Sequence, residues 1–97
     1  MQVKYLLVVD DVPVAIKFHP INRVLILGGP VTSLSLISAL KDSYFQVGEE
    51  VKSEMRNGRC RFEFHELSRQ KFEEVIEQIK GEGLVPQVVT SFGRIMR

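Results

Sequence analysis

The chain has one cysteine, Cys60, no tryptophan and only two histidines, His19 and His65. A lone thiol excludes an intrachain disulfide and suits a reducing cytoplasm. Nothing places His19 and His65 together with a carboxylate at metal-ligand spacing, so no metal and no cofactor is expected. An excess of one charge is also lacking: 13 lysines and arginines meet 12 acidic residues, for a net +1. No global field therefore draws the protein to nucleic acid or anionic lipid, which leaves only local patches. Long apolar runs are missing too, and none approaches the ~20 residues of a membrane helix. The N-terminal run Tyr5-Leu6-Leu7-Val8-Val9 meets Asp10-Asp11 too early for a signal segment, so no membrane partner is expected. What remains is a chain of 97 residues, 44% hydrophobic and 26% charged, which reads as one globular domain.

The most informative segment runs from Glu50 to His65 around Asn57-Gly58. Asn-Gly between alternating segments signals a hairpin, because a type I′ turn needs φ > 0 at both central residues. A two-residue loop also sets the register. It places Arg56 opposite Arg59, Glu54 opposite Arg61, Lys52 opposite Glu63 and Glu50 opposite His65. On the other face Met55 meets Cys60, Ser53 meets Phe62 and Val51 meets Phe64. One face is charge-paired and the other largely apolar.

Lys4–Val9 and Val12–Phe18 read as two strands around Asp10-Asp11. Pro13 cannot donate to a ladder, which argues for an edge or a bulge. Arg23–Leu27 is a continuous apolar run ending at Gly28-Gly29-Pro30. Val31, Leu34, Ile37, Leu40 and Tyr44 recur at helical spacing, with Thr32 or Ser33 as the cap. Ser68 opens the clearest helix, in which Phe72, Val75, Ile76 and Ile79 form one stripe. Leu67 and Phe72 are spaced as a hydrophobic staple, and Gly81 and Gly83 supply the stop. A last strand is expected near Gln87–Ser91, followed by a tail over 92–97.

From Arg23 onward the order is strand, helix, strand, strand, helix, strand. This order predicts an α+β fold: a ferredoxin-like βαββαβ sandwich over 23–91, extended by two N-terminal strands within 1–20. Residues 23 to about 91 also resemble an RNA-recognition-motif domain in layout. Val24-Leu25-Ile26-Leu27-Gly28-Gly29 is similar to that family's first-strand motif, and Asn57-Gly58-Arg59-Cys60-Arg61-Phe62-Glu63-Phe64 to its third-strand motif. The resemblance implies RNA binding on the sheet. The family stacks bases on exposed aromatics, and the matching positions here are Leu25, Arg59 and Arg61.

Three binding readings follow, from different classes. The first is a non-catalytic cytoplasmic interaction module that self-associates, as a homodimer, through a surplus of apolar strand. Tyr5, Leu7, Leu25 and Leu27 are its expected interface. The second is nucleic-acid binding through Lys52, Arg56, Arg59 and Arg61, where Glu54 and Glu63 partly neutralise the face and Arg56 and Arg59 form a basic tip. The third is an anion or small ligand at Gly28, Gly29, Thr32 and Ser33, where free N–H groups at a helix start attract negative charge. No catalytic constellation is present, so no enzymatic residue is nominated. Cys60 falls on the apolar side as a small hydrophobe.

Overall fold

The computed structural model describes residues 2–45 and 49–89, and only the backbone at 49–52. The expected tail, the end of the last strand at Ser91 and the side chain of Lys52 lie outside what is described.

The first two strands, β1 (Val3–Val9) and β2 (Val12–His19), form a hairpin. Asp10 and Asp11 both take positive φ, 51° and 64°, as a two-residue turn with right-handed strand twist requires. Val9 faces Val12, Leu7 faces Val14 and Val3 faces Phe18. A four-residue turn at 20–23, with Arg23 at φ 57°, leads into β3 (Val24–Pro30). A 3-10 turn, Val31–Ser33, then feeds α1 (Leu34–Tyr44). β4 (Glu49–Arg56) and β5 (Arg59–His65) form the Asn57-Gly58 hairpin, with φ 53° and 73° at the turn. Helix α2 (Arg69–Gly81) follows, then β6 (Gln87–Val88).

The ferredoxin-like sandwich is not what forms. The strands make one six-stranded antiparallel sheet in the order β4-β5-β3-β2-β1-β6. In a ferredoxin-like sheet the last strand lies beside β3. Here β2 takes that place, with Ala15–His19 paired to Gly28–Val24. The last strand is displaced to the far edge, where Val88 and Gln87 face Tyr5 and Leu6 of β1. The physical reason is local closure: a short turn returns β2 directly against β3, at little entropic cost, before the C-terminal strand can compete. The N-terminal hairpin is therefore inserted into the middle of the sheet and is not an appendage to it.

Both helices pack on one face. Leu7, Val14, Ile16, Phe18, Leu25, Leu27, Phe62 and Phe64 line that face, and Ile37, Leu40, Phe72, Val75, Ile76 and Ile79 descend onto it. Phe18 and Phe72 stack with ring centroids 4.4 Å apart. Ser68 caps α2, its Oγ accepting from the Lys71 N–H at 3.1 Å, and Leu67 and Phe72 are both buried beside it. The β4–β5 register holds from the turn to Lys52 opposite Glu63 and then shifts. A bulge at Val51 sets Glu50 opposite Phe64 and Glu49 opposite His65, so the expected Glu50–His65 and Val51–Phe64 pairs do not form.

Candidate anion-binding face of the sheet

Successive strand residues point to opposite faces, so the registers map the side that the helices leave open. Lys4, Lys17, Ile26 and Glu63 stand in one row across it. The next row is Leu6, Ala15, Gly28, Arg61 and Glu54. In the third, Val8 faces Pro13, while Pro30 faces Arg59 and Arg59 faces Arg56.

The cations form a diagonal over these rows. Going from β1 to β4 they are Lys4, Lys17, Arg61, Arg59 and Arg56. Strands lie ~4.8 Å apart, so the diagonal spans roughly 19 Å across the sheet. Its one gap falls at β3, where the residue is Gly28. There the surface sinks into a depression of about 240 Å³, floored by Ala15, Gly28 and Ile26. Lys17, Arg56, Arg59 and Arg61 rim it, with Glu54 on one side.

Two like-charge pairs are built into this face: Lys4 opposite Lys17, and Arg56 opposite Arg59. Like charges directly opposite each other destabilise a sheet. Among the described residues no carboxylate lies within ion-pair distance of Lys4, Lys17, Arg56 or Arg59. The Lys17 ammonium is held below the ordinary lysine range, first by partial burial and then by Lys4, Arg61 and Arg59. Arg61 differs, because its Nη1 donates to Glu63 Oε2 at 2.9 Å. The Glu63 carboxylate also meets His65 Nε2 at 2.8 Å. Those bonds, His65 first, hold Glu63 below the usual carboxylate range against the opposing effect of its burial.

The residues expected at a helix-start anion site are dispersed. Gly28, Gly29 and Pro30 do not turn out of the strand but continue β3, opposite Arg61, Cys60 and Arg59. Gly28 faces the open side and Gly29 the helix side. Ser33 is fully buried, and its Oγ donates to the Pro13 carbonyl at 2.7 Å. Thr32 is exposed. A Cβ on Gly29 would come within 2.8 Å of the Pro13 oxygen, so this glycine serves the close approach of β2 and Ser33.

The expected self-association residues are also placed differently. Leu7, Leu25 and Leu27 are at most 1% exposed, covered by the chain's own helices. They share a face with Phe62 and Phe64, since Leu25 opposes Phe64 and Leu27 opposes Phe62. The apolar surplus is therefore consumed by the core, and these three leucines offer no surface. Tyr5 is half-buried against Phe72. Cys60 is buried, its thiol is pushed up by desolvation, and its Sγ lies 3.6 Å from the Pro30 carbonyl. A wider groove of about 740 Å³ runs between Tyr5 and α2, but its carboxylates are already engaged. Glu73 pairs with Arg69, Glu74 with Lys71 and Glu77 with Lys80.

The sequence nominates Lys52, Arg56, Arg59 and Arg61; on the described face the three arginines stand with Lys17 and Ala15, and with Lys4 beyond them, none of which it nominates. The signal was present in the Asp10-Asp11 turn, whose two-residue register sets Lys4 opposite Lys17 on the polar side. Comparison with known proteins brings no match: no family model, no curated protein and no solved structure is similar to this chain. Among the described residues no helix is long and apolar enough to cross a membrane, and no group of His, Cys, Asp and Glu is arranged to hold a metal ion.

Proposed function

We propose that the protein is a non-catalytic cytoplasmic binding module that holds single-stranded nucleic acid by its phosphates on the open face of the sheet. The observation that carries this reading is the diagonal of Lys4, Lys17, Arg61, Arg59 and Arg56. A track of spaced cations suits a polymer of phosphates better than a single small anion, which would need its donors converged on one point. The like-charge pairs support the same reading, since they cost stability in the free protein and are relieved by a bound polyanion. Glu63 engages Arg61 and Glu54 stands beside the depression, so Lys4, Lys17, Arg56 and Arg59 carry most of the available charge.

Titration of a fluorescent single-stranded oligonucleotide at several salt concentrations tests this. With about four phosphate contacts, the logarithm of affinity should fall against the logarithm of salt with a slope of about −3. Arg59→Ala should weaken binding and flatten the slope by nearly one contact. Absence of binding at low salt would end the proposal.

A second reading, self-association, retains one supporting observation at a different place. Val8, Val85 and Val88 are 53%, 68% and 48% exposed where β1 meets the chain leading into β6. Val88 pairs with Tyr5 and so points to the helix side, whereas Val8 and Val85 line one hollow with Leu6 and are the apolar surface on which a second copy would pack.

A further inference from the structure

Gly28 has no structural reason to be glycine. A glycine inside a strand weakens it, and normally marks a bulge, a bend or a close approach by a backbone or ligand. Gly28 lies in a regular stretch of β3, paired to Ala15 on one side and Arg61 on the other. Its φ is not positive. A Cβ built on it meets only the Cys60 carbonyl oxygen at 3.5 Å, an ordinary contact. Gly29 next to it is the opposite case, with 2.8 Å to the Pro13 oxygen. What a side chain at 28 would change is the open face: it would fill the floor of the depression at the point where the cationic diagonal crosses β3.

Resting on the nucleic-acid reading above, we infer that this depression is a slot for one base of the bound strand. The peptide planes at Gly28 and the small Ala15 side chain leave a flat floor, and about 240 Å³ of space stands over it. Ile26 adds an apolar side chain to that floor, and Arg59 and Arg61 stand at the rim. Guanidinium planes stack on bases as aromatic rings do, so the lack of exposed aromatics among the described residues of this face does not leave a base without a partner. Lys17, on the β2 side of the slot, is placed for the phosphate of the same nucleotide.

The test compares a short single-stranded oligonucleotide with an abasic sugar-phosphate chain of equal length and charge. The intact protein should bind the base-bearing strand at least about fivefold more tightly, the lower end for one stacked base. Gly28→Val, with Ala15→Val as a second filling variant, should reduce binding of the base-bearing strand to the abasic level and leave the salt slope unchanged. Equal affinity of the intact protein for both chains overturns the slot while the phosphate reading stands. So does a loss on Gly28→Val that is equal for both chains. Binding of neither chain at low salt defeats the phosphate reading itself, and the slot with it.

Discussion

Lys4 and Lys17 stand directly opposite each other across β1 and β2, like charges on the open face of the sheet. The second member of the pair is already held below the ordinary lysine pKa of 10.5 by burial and by its cationic neighbours. The folded state thus binds this proton less tightly than the unfolded state. By linkage, the charged ammonium costs stability below the lowered folded value, and stability recovers as pH rises from there toward 10.5. Lys17→Gln should therefore raise the melting temperature near neutral pH, by the equivalent of a few tenths to about 1 kcal/mol, and more at low salt. The same change should weaken oligonucleotide binding. Thermal melts of both proteins at two salt concentrations check this, and a lower melting temperature for the variant would count against the pairing.

The two neighbouring glycines should respond in opposite ways. Gly28→Ala adds a side chain to a regular strand with room for it, and should be neutral or stabilising by about 0.5–1 kcal/mol. Gly29→Ala forces a Cβ against the Pro13 oxygen and the Ser33 side chain, and should destabilise by about 1–3 kcal/mol. Denaturant midpoints of the two variants provide the comparison.

Glu63 gives the acid limb its sign. Its carboxylate is lowered by His65 and Arg61, so the folded state releases this proton more readily than the unfolded chain. The stabilisation is present above the ordinary carboxylate value of 4.5 and is lost as pH falls through the lowered folded value. Glu63→Gln should flatten this part of the acid unfolding profile. It should also free Arg61 and tighten oligonucleotide binding at neutral pH; unchanged affinity would show that Arg61 lies off the track.

Leu25 is a core residue, so Leu25→Glu should abolish folding and not merely alter self-association. It would set a charge among Phe64, the other core strands and the helices, a buried unpaired ion that the protein cannot compensate. Circular dichroism of the variant checks this. The mass of the intact protein is a separate matter. If Val8 and Val85 mediate self-association, Val85→Glu should shift a dimer to the 11.1 kDa monomer in light scattering, with the fold retained.

The parts of the fold legible in the sequence are the local ones. Both two-residue turns follow from residues that tolerate positive φ, and each sets the register of the strands next to it. Ser68, Leu67 and the Phe72–Ile79 stripe define α2 within a few turns of chain. The order of strands depends instead on competition between distant segments, and the short 20–23 turn decides it in favour of β2. The Gly28-Gly29-Pro30 string reads as punctuation, yet it stays in β3 because Gly29 lets β2 and Ser33 close in and because Arg61, Cys60 and Arg59 pair opposite it. Leu25 and Leu27 could be assigned to a face only once β3 was known to pair with β5 in register with Phe62 and Phe64. The candidate site was half legible: its β5 arginines lie beside a recognisable turn, whereas Lys4 and Lys17 join them only through the strand order.

The most direct measurement is a titration of isotope-labelled protein with a short single-stranded oligonucleotide at low salt, followed by amide chemical shifts. Binding along the diagonal should give saturable shifts at Lys4, Lys17, Gly28, Arg59 and Arg61, with α2 unaffected. Shifts centred on α2, or no shifts at low salt, would contradict it.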